Sequence, residues 1–365
     1  MSRNFGINTY SFWIVTYVAV GTISSAYGLV IIGSTIGQPN FYKFFDLASQ
    51  GEPGYAHTTN IIGALNGVNS AGAIIGSIFQ AWSGDYLGRK WTMQFGLIVL
   101  IIGGALCAGT VNMTMFIIAR LVAGIGSGTL ACIVPTYQAE MAIAETRGAM
   151  VAVTGVMYAV GYSLAAWLGY ACYHIKSTDS AVTFSWRFPL AVQVLFPLIV
   201  LVGSPFLPES PRWLLQQGHR EKVLSVVTRL QRDVVKARQE FFMIEKQFEL
   251  DRSISTKWYE LIRTPANRRR ALVACALMWG DQFLGIFVIT NYGVLIYESI
   301  GFQDPTHLVL YACWASFTLI ENTWTAFYVD RYGRRVFLLI GSTGCVVCLI
   351  FLCVLCAQYL GKTTQ

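Results

Sequence analysis

Gly84-Asp85-Tyr86-Leu87-Gly88-Arg89-Lys90 and Asp330-Arg331-Tyr332-Gly333-Arg334-Arg335 are two versions of one phrase, Asp-x-x-Gly-Arg followed by a second basic residue. Each sits between two long apolar stretches. The chemistry of the phrase is that of a tight turn between two helices. Glycine supplies the backbone freedom, an Asp beside the next helix start is favoured by the helix dipole, and the Arg and Lys are placed to pair with acids on neighbouring helix ends. Counted in apolar stretches, the second copy falls six after the first. That spacing predicts a parallel repeat of six-helix halves.

Outward from these turns, nine apolar segments are long enough to span a bilayer, for which about 20 residues suffice. They run Ser11–Ile36, Thr58–Trp82, Trp91–Thr110, Thr114–Gln138, Met150–Cys172, Phe188–Leu207, Ala271–Tyr297, Thr306–Tyr328 and Val336–Leu360. Each must be a helix, because hydrocarbon offers the backbone no hydrogen-bond partner. The expected fold is therefore an all-α polytopic membrane protein. Its expected units are a six-helix bundle over 1–207, a helical cytoplasmic loop over 208–270 and a three-helix, incomplete second bundle over 271–365.

Composition agrees. Of 365 residues, 55% are hydrophobic and 12% charged, against about 25% charged in a soluble domain. This excludes a disordered chain, a secreted disulfide scaffold and an ordinary cytosolic enzyme. With the N-terminus in the cytoplasm, only Lys43, Lys176, Arg187 and Lys362 fall outside, and Arg120 lies within a span. The other 21 of the 26 basic residues are cytoplasmic, as the positive-inside rule requires. The plasma membrane is the expected location. The loop from Pro208 to Arg270 holds fourteen Lys and Arg against eight Asp and Glu, a surplus of six in a chain whose total is +7. Its charge is mixed and no binding motif accompanies it. It reads as a solvated surface near anionic lipid headgroups and not as a nucleic-acid site.

Further motifs complete the set: Arg120 to Gly128 (RLVAGIGSG), Glu140 through Glu145, Arg147 and Gly148, and Pro208-Glu209-Ser210-Pro211-Arg212-Trp213-Leu214. With the two turns, they make the chain resemble a sugar porter of the major facilitator superfamily, in a branch common in filamentous fungi. The resemblance implies alternating access, in which two bundles rock about a central site. It implies a cytoplasmic gating network of Asp85, Arg89, Lys90, Glu140, Arg147, Glu209, Arg212, Asp330 and Arg334. It implies substrate contacts at Gln282, Asn291, Tyr292 and Trp167. The usual amides of span seven are reduced here to Gln282, with Asp281 and Phe287 at the other two positions. The usual span-five Gln is replaced at Thr154 or Gly155. The solute is thus a sugar, or a sugar-like polyol or cyclic acid. In proton-coupled relatives a span-one Asp partners the span-four Arg. Here Gly28 stands opposite Arg120, which leans towards a facilitator, while Asp281 and Glu321 are the remaining intramembrane carboxylates for proton coupling.

No nucleophile triad, P-loop or ligand spacing points to an enzyme, a cofactor or a metal. Cys345-x-x-Cys348 and Cys353-x-x-Cys356 lie in an apolar span, where small residues pack helices. Gly63/Gly67, Gly72/Gly76 and Gly124–Gly128 are read as packing faces for the same reason. Nine spans against the family's twelve suggest a truncated chain, with a non-transporting relative or nutrient sensor as the rival reading. Nothing in the sequence argues for an oligomer.

Overall fold

The structure is a computed structural model that describes residues 9–49, 52–142, 147–175, 179–231, 233–253, 263–302 and 305–359. It is helical, with no strand among the described residues. The helices are α1 (Thr9–Ile36), α2 (Pro39–Phe44), α3 (Tyr55–Tyr86), α4 (Arg89–Ala108), α5 (Met113–Met141), α6 (Arg147–Tyr173), α7 (Asp179–Val192), α8 (Leu195–Gly203), α9 (Pro211–Gln216), α10 (Arg220–Leu230), α11 (Val234–Ser253), α12 (Pro265–Phe283), α13 (Ile286–Ser299), α14 (Thr306–Tyr332) and α15 (Arg334–Tyr359). The architecture is that of a six-helix membrane bundle followed by three further span-length helical segments.

Three expected spans differ in detail. The sixth is two helices, α7 and α8, separated at Gln193–Val194, and its apolar run is Thr183–Phe206. Pro197 is the cause: it has no N–H to give the Gln193 carbonyl one turn earlier. Arg187, expected in a loop, lies inside α7, which begins at Asp179. Its guanidinium donates to the Thr110 carbonyl at 2.7 Å and covers the rings of Phe44 and Trp186, each centroid 5.1 Å away. The seventh span breaks at Gly285, in the left-handed region at φ 74°, which divides α12 from α13. Seven helical segments are long and apolar enough to cross a membrane among the described residues. α14 is not one of these, because Ser316, Thr318, Glu321, Asn322 and Thr323 interrupt its apolar run.

The first bundle is held by backbone against backbone. A Cβ on Gly76 would lie 2.1 Å from the Ile125 carbonyl oxygen, and one on Gly128 2.2 Å from that of Ala73. Gly72 meets Leu121 and Gly124 meets Asn69 in the same way, so α3 and α5 run side by side in direct contact. On its other side α5 meets α4, where Gly103 faces Ala123 and Gly126 faces Leu100. Gly63 and Gly67, expected on the same face of α3, meet nothing within 4 Å. Five residues separate Gly67 from Gly72, a rotation of about 140° that carries the first pair off the seam. Asn112 caps α5, its side-chain oxygen accepting the Met115 N–H at 2.8 Å.

The second half touches the first through α13 and α14. α1 packs on α13, and α6 runs antiparallel against α14. On the side away from the basic loops this seam is dry. Ile36, Val294, Leu308 and Tyr311 are fully buried there, and Gly33 and Gly37 bring α1 against Tyr311 and Val294. On the basic-loop side, by contrast, no described residue of α12 is buried, and the described residues of α15 are unburied along its whole length. Their large apolar side chains, among them Trp279, Phe283, Ile340 and Phe351, are exposed on the isolated chain.

Gly76→Leu should lower stability in micelles by at least about 3 kcal/mol, the upper end of ordinary overpacking. Gly63→Leu, with open space around it, should stay within about 0.5 kcal/mol of the parent. Melting curves of the two purified variants check the difference.

Candidate functional site

The turn at Gly88 builds a charged cluster at the ends of three helices. Gly88 has φ 97° and ψ 165°, a conformation open essentially to glycine alone. It has no room for a side chain either, since a Cβ there would lie 2.9 Å from a Glu209 oxygen. The turn aims the start of α4 at Glu209, which accepts the Arg89 N–H at 3.0 Å and the Lys90 N–H at 3.1 Å. A carboxylate thus caps a helix N-terminus, where both the free N–H groups and the dipole favour it.

Arg89, 8% exposed, reaches two neighbouring helices with its side chain. Two nitrogens grip Glu140 at the end of α5, each at 3.0 Å. A third donates to the Gly84 carbonyl at 2.8 Å and pairs with Asp85 at 3.0 Å. Such a two-pronged guanidinium–carboxylate pair fixes direction as well as charge, which a lysine at this position would not do. Lys90 reaches a backbone carbonyl, that of Pro205, at 2.7 Å instead of an acid. The Ser210 hydroxyl donates to Glu140, and Trp213 donates to the Asp85 carbonyl at 3.0 Å. Arg212, in the same loop, is exposed. Burial pushes the Glu209 carboxyl above its ordinary value, and the N–H groups of Ser210, Lys90 and Arg89 pull the other way.

The second phrase keeps the turn. Gly333 has φ 87° and ψ 146°, close to Gly88, and ends α14 where α15 begins. Arg334 is exposed there. The side chains of Arg147, Asp281 and Asp330 lie outside the described residues.

A second polar set lines the seam between α6 and α14. Trp167 donates its indole N–H to the Ser316 hydroxyl at 2.7 Å, and Ser163 lies 3.5 Å from the same oxygen. Tyr162 stacks on Trp314, ring centroids 6.4 Å apart. About two turns further towards the basic loops, Asn322 presents its side-chain oxygen to Gly155, 3.3 Å from where a Cβ would stand, and donates its amide N–H to the Thr318 carbonyl at 2.9 Å. Thr154 is used elsewhere, donating to Gln138, which donates in turn to the Val15 carbonyl at 3.0 Å.

The other expected contacts are scattered. Asn291 is buried and donates to the Phe287 carbonyl of its own helix at 2.9 Å. Tyr292 is half-buried beside it, and Gln282 is exposed at the end of α12. Glu321 is exposed on α14. Arg120 is buried in α5 and donates to the Gly28 carbonyl at 3.0 Å. Ser210, Ser316 and Asn322 were not singled out by the sequence. Ser210 stood inside a recognised motif, whereas Ser316 and Asn322 carry no local signal and emerge only when α6 and α14 are brought together.

Comparison with known proteins places this geometry. The family model described as sugar (and other) transporter matches residues 14–365. The MFS-type transporter criB of Aspergillus cristatus is 30% identical over 92% of this chain and 70% of its own length. The sugar transporter STL1 of Saccharomyces cerevisiae is 28% identical over 88% of this chain and 59% of its own. This chain thus spans only part of the length of both. Among solved structures, a partially occluded inward-open form of the xylose transporter XylE from E. coli superposes with a TM-score of 0.74. It is 21% identical and covers 89% of this chain and 74% of that one, a likeness of fold.

The raised Glu209 carboxyl has a signed consequence. The folded state binds this proton more tightly than the unfolded one, so the contribution is present below the unfolded value and is lost as pH rises through the folded value. Glu209→Gln should remove the fall in stability that the parent shows as pH rises above the ordinary carboxylate range, measured as melting temperature against pH.

Proposed function

The chain belongs to the sugar (and other) transporter family, and on that premise we propose that it carries a sugar or sugar-like polar solute across a membrane by alternating access and is not an enzyme. The observation that carries this reading is the one-sided seal between the halves. α1 closes on α13 and α14 away from the basic loops, while on the basic-loop side α12 stands clear. A two-bundle carrier caught in one of its two states has this asymmetry.

The basic surplus supports a cytoplasmic N-terminus in a plasma membrane. In that orientation the seal is extracellular and the form is inward-facing. Residues 1–207 and 271–365 are the moving units and 208–270 the loop between them. The gate is the network of Asp85, Arg89, Lys90, Glu140 and Glu209, with Arg147, Arg212, Asp330 and Arg334 as its further members. Arg89 holds the ends of α3, α4 and α5 together and so lets that end of the bundle move as one body.

The solute site lies between α6, α12, α13 and α14, with Trp167, Gln282, Asn291 and Tyr292 as contacts. Asn322 joins them as the amide beside Gly155. Sugar hydroxyls donate and accept at once, which amides and indoles match. Transport is facilitative, because Arg120 faces a glycine and not a carboxylate. Should protons be coupled, Asp281 and Glu321 are the groups to carry them.

Uptake of labelled hexoses, disaccharides and cyclic acids by cells expressing this chain tests the reading directly. Arg89→Ala should reduce uptake more than about tenfold, a loss of some 1.4 kcal/mol or more, at unchanged abundance in the membrane. Uptake should be independent of pH and unaffected by Asp281→Asn or Glu321→Gln. A pH-dependent rate abolished by either substitution would assign proton coupling to that carboxylate.

A further inference from the structure

Among the described residues, Arg120 is a buried charge with no counter-charge. It is 1% exposed, and its one hydrogen bond to a described residue is from Nη1 to the Gly28 carbonyl. Its Nε and Nη2 have no partner among the described residues. Within the apolar spans of the first bundle the sequence holds two acids, Asp85 and Glu140, both at the basic-loop ends. Glu140 follows Arg120 by twenty residues of one helix, about 30 Å. On the opposite side Asp46 and Glu52 are exposed on loops. An uncompensated guanidinium in a protein interior costs several kcal/mol.

Three other features converge at the same level. Gln193 is 1% exposed, and neither its amide nitrogen nor its amide oxygen has a partner among the described residues. It is wedged between α1 and α4: a Cβ on Gly28 would lie 2.9 Å from its nitrogen, and one on Gly104 3.6 Å from its Cγ. Asn66 of α3 is 4% exposed with both amide atoms unpaired. Gly124 of α5 packs on the backbone of Asn69, and the two helices run in the same direction. Residues three and four positions earlier, Asn66 and Arg120, therefore share a level. Finally, the break between α7 and α8 falls at Gln193 itself, where the Val194 N–H donates to the Ala191 carbonyl at 3.0 Å.

From this convergence we infer that the first bundle holds a small monovalent anion, of the size of chloride, between Arg120 and Gln193. The ion supplies the charge that a carboxylate on α1 would otherwise provide. Gln193 occupies the space left by Gly28 and turns its amide N–H to the ion. The site is separate from the solute contacts on α6 and α12 to α14 and does not depend on their assignment.

The test uses the purified 365-residue chain in lipid nanodiscs, melted in sodium chloride, sodium bromide or sodium gluconate at equal ionic strength. Chloride and bromide should give a saturable rise of a few degrees over gluconate, as expected of a ligand that binds only the folded state. Combining Gly28→Asp with Gln193→Ala places a carboxylate beside Arg120 and removes the amide that would clash with it. That double variant should lose the halide response. Melting of the parent chain that is the same in all three salts would overturn the proposal and leave water as the sole occupant. A halide response that survives in the double variant would place the ion elsewhere and overturn it too. Where the double variant does not fold, bromide anomalous scattering from crystals of the parent chain decides. A peak beside Arg120 sustains the site, and none at that position removes it.

Discussion

Apolar helices in a bilayer gain little by touching one another, because lipid tails are as apolar as leucine. Association must come from close approach, and here it comes from glycine. Along α5, Gly124 and Gly128 meet α3 and Gly126 meets α4, with backbone atoms closer than any side chain would allow. This contact sets everything at the basic-loop end. Because α3, α4 and α5 cannot shift past one another, Arg89 finds Glu140 in line with its guanidinium and Glu209 finds the open end of α4. The ionic cluster is a consequence of the packing and in turn clamps the helix ends that the packing brings together.

The rest of the molecule follows a different rule. Between α6 and α14 the contacts are made by polar and aromatic side chains: Trp167 to Ser316, Tyr162 to Trp314, Asn322 beside Gly155. Such contacts tolerate parting, since an indole or hydroxyl can take water when its partner leaves. The first bundle is therefore a rigid body with an adjustable face, a division of labour that a carrier with two states needs.

Much of this was legible in the sequence, and the limits are physical. The two Asp-x-x-Gly-Arg turns announced themselves, because a glycine-only backbone and paired charges leave a fixed residue order. Their matching dihedrals at Gly88 and Gly333 show how literal that signal was. The break in the sixth span was written as Pro197 but hidden by uniform hydropathy, which also placed Arg187 in a loop. Ser316 and Asn322 were invisible, since a lone polar residue in an apolar run acquires meaning only from the helix that faces it. Gly63 and Gly67 misled for the opposite reason: the small-residue spacing was right, but a rotation of about 140° turned that face away from the seam.

The seal formed by α1 on α13 and α14 has an entropic corollary. On the α1 side the closing surface at Gly33 and Gly37 is bare backbone. Parting it unlocks no rotamers on that strip, and closing it again freezes none, so the ordering cost that accompanies interlocking side chains is absent there. The side chains in this seal that parting would free are Ile36 of α1 and Val294, Leu308 and Tyr311 opposite, so the ordering cost is carried mainly by the second half.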